Sequence, residues 1–138
     1  MPYDNVVFLP EFRQATFTKN KQVLYLSNQL ESLALLQSFY GISVEGVSSG
    51  QSLQVQILSW KRWDLILIES DLNWADPRET IQFINQELQI PVTLIHQDAE
   101  TEEALFRLKS FYDVGLTDCL HRPLCPKELS EVFRALLR

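Results

Sequence analysis

From Val23 onward the chain alternates short apolar runs with amphipathic stretches of helical length, five times over. Runs that are apolar on nearly every residue suit strands buried on both faces, and such strands occur where a parallel sheet is covered by helices. The runs are residues 23–27, 42–47, 64–69, 92–96 and 117–120, the last being the least apolar. The pattern predicts an α/β domain built from five βα units over residues 21–138. Residues 6–9 are apolar, but Pro10 and the polar stretch 16–22 set residues 1–20 apart as an N-terminal arm or tail.

Spacing and capping residues predict the helices. Leu33, Leu36 and Tyr40 fall at i, i+3 and i+7, as do Ile81, Ile84 and Leu88, so each stretch has one stripe to lay on a sheet. Asp76-Pro77-Arg78-Glu79 supplies an N-cap acceptor, a proline at the first helical position and a Glu within reach of the cap. Pro126-Lys127-Glu128 opens the last helix in the same way, and its stripe is Leu129, Val132, Phe133 and Leu136. A stripe of Leu105, Leu108 and Tyr112 leads to Gly115, suited to a left-handed helix end. The second helix rests on βα order alone, because Leu53, Val55 and Ile57 alternate with Gln54 and Gln56 at a strand-like period of two. The chain stops directly after the last helix, which suits a segment of a longer protein.

Composition removes several function classes. The 138 residues, 46% hydrophobic and 22% charged, have the make-up of one globular domain. Twelve Lys and Arg against eighteen Asp and Glu give a net charge of -6, a field that repels phosphate backbones and anionic lipid. No direct nucleic-acid partner and no membrane association are expected. No apolar run approaches the ~20 residues of a membrane span. Asp4 and Glu11 sit where a signal peptide would be basic and then apolar, and two cysteines make no disulfide framework, so a cytoplasmic location is expected. With only four glycines, neither G-x-G-x-x-G nor a Walker loop can be written.

In an open parallel sheet, the working site lies beyond the carboxyl ends of the strands. Those ends carry Ser27 with Asn28, Glu69, His96, and Arg122 followed by Pro123. Asp64-Leu-Ile-Leu-Ile-Glu69, Ile90-Pro91-Val92, Asp118-Cys-Leu-His-Arg122-Pro123-Leu124 and Pro126-Lys-Glu-Leu129 stand in one chain at a characteristic spacing. In this the sequence resembles the receiver (CheY-like) domain of two-component response regulators, over nearly all of residues 21–138. The resemblance implies a flavodoxin-like, doubly wound fold whose five-stranded parallel sheet has the order 2-1-3-4-5.

The departures from that family bear directly on function. A phosphorylating receiver uses an acidic pair after the first strand and an aspartate after the third. It also needs a Thr or Ser after the fourth and a Lys before a proline after the fifth. The matching positions here are Ser27 with Asn28, Glu69, His96 and Arg122. Magnesium prefers carboxylate and phosphate oxygen, and a hydroxyl with an amide is a poor substitute. Without metal and lysine, charge on a transferring phosphoryl group is not neutralised. A degenerate pseudo-receiver follows, neither an enzyme nor a binder of metal or cofactor. Glu69 either imitates a phosphorylated aspartate or pairs structurally with Arg122, and the pair is the favoured reading. His96 is expected to fill the vacated acidic pocket beside Asn28. Cys119 stands where receivers carry the aromatic residue that couples pocket to surface.

Three further features of the sequence have ordinary explanations beside their functional ones. Gly46-Val47-Ser48-Ser49-Gly50 spells the G-x-S-x-G nucleophile elbow, with Asp118 and His121 as nominal triad partners; the ordinary reading is a polar turn. Cys119, His121, Cys125 and His96 are zinc-type ligands, yet C-x-H-x-x-x-C is no recognised finger. Trp60 and Trp63 are expected to cap the second helix, and Trp74 either covers the altered pocket or anchors a partner.

The function expected from all this is a phosphorylation-independent interaction module in signal transduction or transcriptional regulation. In the receiver family the fourth helix, fifth strand and fifth helix commonly form the contact face. A protein partner or a second copy would then meet Phe106, Lys109, Phe111, Cys119, His121 and Arg134. Two rival readings stay open: a regulator still phosphorylated on Glu69 or Asp71, and a small-ligand sensor using His96, Trp74 and the vacated pocket.

Overall fold

The computed structural model describes residues 20–59, 61–97 and 101–137. Trp60 and all of the expected arm except Asn20 lie outside these residues. Strands β1 (Lys21–Leu26), β2 (Ile42–Val47), β3 (Leu65–Glu69), β4 (Val92–His96) and β5 (Asp118–His121) form one sheet in the order β2-β1-β3-β4-β5. Every pairing is parallel. The crossovers are α1 (Leu33–Gln37), α2 (Gly50–Ile57), α3 (Pro77–Phe83), α4 (Glu102–Asp113) and α5 (Pro126–Leu136). This is the doubly wound, flavodoxin-like α/β architecture that the sequence predicts. β1 starts two residues earlier than the apolar pattern suggests, and β5 runs one residue later.

Because successive strand residues point to opposite faces, each central strand feeds two cores. Leu24, Leu26, Ile66, Ile68 and Leu94 pack with Ile81, Ile84 and Phe111 on one side of the sheet. Val23, Tyr25, Leu65, Leu67 and Ile95 meet Leu36, Leu129, Val132 and Phe133 on the other. All of β3 is buried, which is why its sequence is apolar without alternation.

The predicted cap of α3 is present, whereas α5 opens at Pro126 behind Cys125 with no side-chain cap bond. Asp76 accepts from the amides of Arg78 and Glu79, with Pro77 at the first helical position. The segment that spells G-x-S-x-G is the turn into α2, where Ser49 accepts from the Ser52 amide as N-cap. Its nominal triad partners sit on β5, at the opposite edge of the sheet from β2. α2 is helical despite its period-two pattern. Its Val55 and Leu58 are exposed, Leu53 packs on the core, and the Trp63 indole donates to the Gln56 carbonyl at 3.0 Å.

Two predicted stripes are corrected. Tyr40 is exposed and outside α1, because the backbone turns at Ser38 and is drawn into the sheet by Gly41, whose carbonyl accepts from the Lys21 amide. On α4, Leu105 and Tyr112 are exposed, and Phe111 faces the core with Leu108 against it. The helix end sets that register. The Leu116 amide donates to the Phe111 carbonyl and the Gly115 amide to that of Tyr112, a Schellman motif that buries Leu116 and Phe111 in one cluster. α3 likewise passes into a wider π-helical turn over Ile84–Leu88, closed by the Gln89 amide on the Ile84 carbonyl at 2.8 Å.

Gly115 has φ +112°, and a Cβ there would lie 2.3 Å from Cγ of Asn85. Gly115→Ala should therefore cost on the order of 1–3 kcal/mol in urea melts. Gly50→Ala, in α2 with nothing within 4 Å of the added methyl, should be neutral or slightly stabilising. Equal effects at the two positions would contradict the account of Gly115.

Candidate functional site

Glu69 ends β3 with 1% of its surface exposed, on the face of the sheet covered by α1 and α5. A lone buried carboxylate is costly, so its partners define the site. Arg122, just past β5, donates through Nε to Glu69 Oε1 at 3.1 Å and through Nη2 to Oε2, a two-point fork that reaches across β4. The Tyr25 hydroxyl from β1 donates to Glu69 Oε2 at 2.5 Å and accepts from Arg122 Nη2 at 3.3 Å. Both carboxylate oxygens are thereby engaged, and one cluster joins β1, β3 and the segment after β5.

A second ring lies at the end of β1. The buried Ser27 hydroxyl donates to Glu31 Oε1 and accepts from the amides of Gln29 and Leu30. The Asn28 side chain donates to the Asp71 carbonyl and accepts from the Asn73 amide, both at 2.9 Å. The Trp74 indole donates to the Ser27 carbonyl at 3.2 Å and packs on the core. The loop after β3 is thus tied to the turn after β1 by polar contacts of its own chain. Trp74 is half-buried against the cluster of Leu24, Leu26 and Ile68.

The electrostatics follow burial and partner. Burial pushes Glu69 up, against the pull of Arg122 and Tyr25. Arg122 rises chiefly through its bond to Glu69. Burial and then the Glu69 carboxylate push the Tyr25 phenol up to about 12. Glu31 is held below its usual value of 4.5, first by the Ser27 hydroxyl.

As a place for a cation the cluster is poorly equipped. Ser27, Asn28 and both oxygens of Glu69 are committed to protein partners. Among the described residues no group of three or more His, Cys, Asp or Glu is placed to hold a metal ion. The zinc-type set of His96, Cys119, His121 and Cys125 does not converge.

No family model matches the chain, and no curated protein does. Solved structures do. A two-component response regulator from Clostridium difficile superposes with TM-score 0.72 at 21% identity, covering 86% of this chain and 96% of that one. A response regulator receiver protein from Pseudomonas putida gives 0.68 at 17% identity, over 87% and 99%. A CheY-like receiver domain protein from Methanospirillum hungatei JF-1 gives 0.66 at 18%, over 83% and 91%. The fold is that of a receiver domain.

Within this receiver fold, His96 departs from expectation. Its ring stacks edge-on against His121 of β5, centroids 4.6 Å apart, because the two are register neighbours at the ends of β4 and β5. Asn28 is bonded instead to the loop after β3. The cavity of about 330 Å³ that His96 lines lies between β5 and α5 and does not include Trp74, so the small-ligand site expected from His96 and Trp74 is not assembled there.

The predicted contact face is only partly a surface. Phe106 is 77% exposed, and Lys109, ion-paired with Asp113 at 3.4 Å, is exposed too, as are His121 and Arg134. Cys119 is half-buried against the core. Phe111 is 7% exposed and belongs to the core, for the Schellman reason given above. Leu105 and Tyr112, which the sequence pattern assigned to the buried stripe, are exposed on the same helix as Phe106. Tyr25 and Glu31 were missed as well. A tyrosine inside the strand Val23-Leu24-Tyr25-Leu26 is the signal for the first, since a buried hydroxyl must find a partner.

Arg122→Ala leaves Glu69 buried and half-partnered and should cost about 3 kcal/mol, with part recovered by adding Glu69→Gln. Strictly additive losses in denaturant melts would contradict the pairing. Glu31 titrates below its unfolded value, so its contribution is present above pH 4.5 and is lost as pH falls through the folded value. Glu31→Gln should therefore lower the urea midpoint at neutral pH, the gap to wild type closing on acidification. A gap that widens in acid would reverse the sign.

Proposed function

We propose that the chain is a pseudo-receiver: a non-enzymatic, phosphorylation-independent module that acts in signalling or transcriptional regulation by binding a protein partner or a second copy. One observation carries the reading: Glu69, at the position of the phosphorylated aspartate, is buried with both oxygens held by Arg122 and Tyr25. Phosphoryl transfer needs an accessible nucleophile, a cation and room for in-line attack. Here the nucleophile is tied down, and Asn28, at one of the positions where a phosphorylating receiver carries an acidic pair, is bonded to the loop after β3.

A modification can shift a conformational equilibrium only by its differential affinity for the two states. A locked pocket supplies none, so the contact face must be competent as folded. The apolar surface of α4, with Leu105, Phe106 and Tyr112 exposed together, supports that face, and so do the basic groups Lys109 and Arg134. Aromatic and arginine side chains are the usual energetic anchors of protein interfaces. The net charge of -6 supports a protein rather than a nucleic acid as the direct partner.

Incubation with acetyl phosphate and millimolar magnesium, followed by intact-mass spectrometry, should leave the protein unmodified, with flat tryptophan fluorescence throughout. A phosphoryl adduct mapping to Glu69 or Asp71 would overturn the proposal. In sedimentation or partner capture, Phe106→Ala should weaken association roughly tenfold or more while Glu69→Gln leaves it within about twofold. Loss in Glu69→Gln at unchanged content of folded protein would show that the pocket still governs the surface.

A further inference from the structure

At the amino end of the sheet, opposite the pocket just described, lies a second cavity of about 380 Å³ between α2, the segment entering β3 and the turn entering β4. Its floor is apolar: Ile57 from α2, Ile66 from β3, and Leu88 and Ile90 flanking the end of the π-helical turn. Its rim is basic. Lys61 and Arg62 stand there exposed, on a chain whose overall charge is negative.

The charges on this rim are unequally committed. Lys61 lies 3.8 Å from Glu45 and 5.5 Å over the ring of Trp63. The one carboxylate in the lining, Asp64, is bound by the Gln22 amide at 2.8 Å and so helps to close β1 onto β3. Arg62 makes no hydrogen bond or ion pair with any described residue, though it stands over an apolar floor. A guanidinium offers a planar fork of donors suited to a carboxylate or sulfonate.

Another part of the lining has an unusual backbone. The π-helical turn widens the end of α3, and Gln89 follows with φ 56° in the left-handed region. Such turns in place of regular helix recur at functional sites. Here the end of the widened turn and the residues after it, Leu88 to Ile90, line the cavity.

We infer that this cleft binds a small organic anion with an apolar body, its carboxylate or sulfonate on Arg62 and its hydrocarbon part against Ile57, Leu88 and Ile90. The volume suits a compact ligand, at the lower end of small-molecule sites. A bare inorganic anion would leave the apolar floor wet, and an uncharged hydrocarbon would leave Arg62 unanswered. The site lies at the far pole from Glu69 and does not depend on the pseudo-receiver reading.

Anilinonaphthalene sulfonate is the probe, titrated into the full chain and followed by its own fluorescence and by amide shift mapping. Saturable one-to-one binding is expected, with shifts concentrated at Arg62, Trp63 and Gln89. Arg62→Ala, at an exposed position that leaves the fold intact, should weaken binding about tenfold, and phenylnaphthylamine, lacking the sulfonate, should be insensitive to it. Phe106→Ala should change nothing. Shifts centred on α4, loss of binding in Phe106→Ala, or equal affinity in Arg62→Ala would each overturn the assignment.

Discussion

A carboxylate buried to 1% exposure at the end of the central strand is the constraint around which this domain is arranged. Glu69 cannot stand alone there, and what it requires is supplied from three parts of the chain: Tyr25 from β1, Arg122 from beyond β5, and the packing of β3 itself. An ion pair in such a place adds little to stability over a well-packed apolar substitute, but breaking it by removing one partner is expensive. Its structural effect is to fix three strand ends in one arrangement. In the proposed pseudo-receiver reading, the pocket that hosts reversible chemistry in phosphorylating receivers serves instead as part of the framework.

The surroundings agree with that role. Ser27 and Asn28, where metal-binding carboxylates would stand, spend their polar groups on neighbouring backbone and on Glu31. The loop after β3 is held by the Asn28 side chain and by the Trp74 indole, so the segment that would approach a phosphoryl group is already tied down. His96 turns toward β5, and the half-buried Cys119 offers no large ring to swing between pocket and surface. Under the proposed reading, function falls to the outer face around Phe106.

The architecture was legible because a parallel sheet buried on both sides leaves an unmistakable trace: uninterrupted apolar runs at Leu24, Ile66 and Leu94 and their neighbours, each followed by a helix-length amphipathic stretch. The pairing of Glu69 with Arg122 was legible too, since opposite charges at two strand ends of one sheet have few other ways to be satisfied. The face of α4 was not. Leu105, Phe106, Leu108, Phe111 and Tyr112 permit more than one helical stripe, and the choice was made by a backbone motif at Gly115 and Leu116 rather than by the helix itself. His96 was misplaced because register across β4 and β5, invisible in a single strand, put it beside His121. Tyr25 went unnoticed because a ring in an apolar strand reads as core, and only the geometry shows its hydroxyl at work.

The central claim is that the pocket is closed and carries no signal to the surface. Amide shifts of the isotopically labelled full chain, recorded with and without beryllium fluoride and magnesium, test it most directly. The account predicts spectra that superimpose at Glu69, along β4 and β5 and across α4. Shifts that begin at Glu69 or Arg122 and spread to Phe106 would contradict it, for they would show that a phosphoryl mimic opens the pair and moves the contact face.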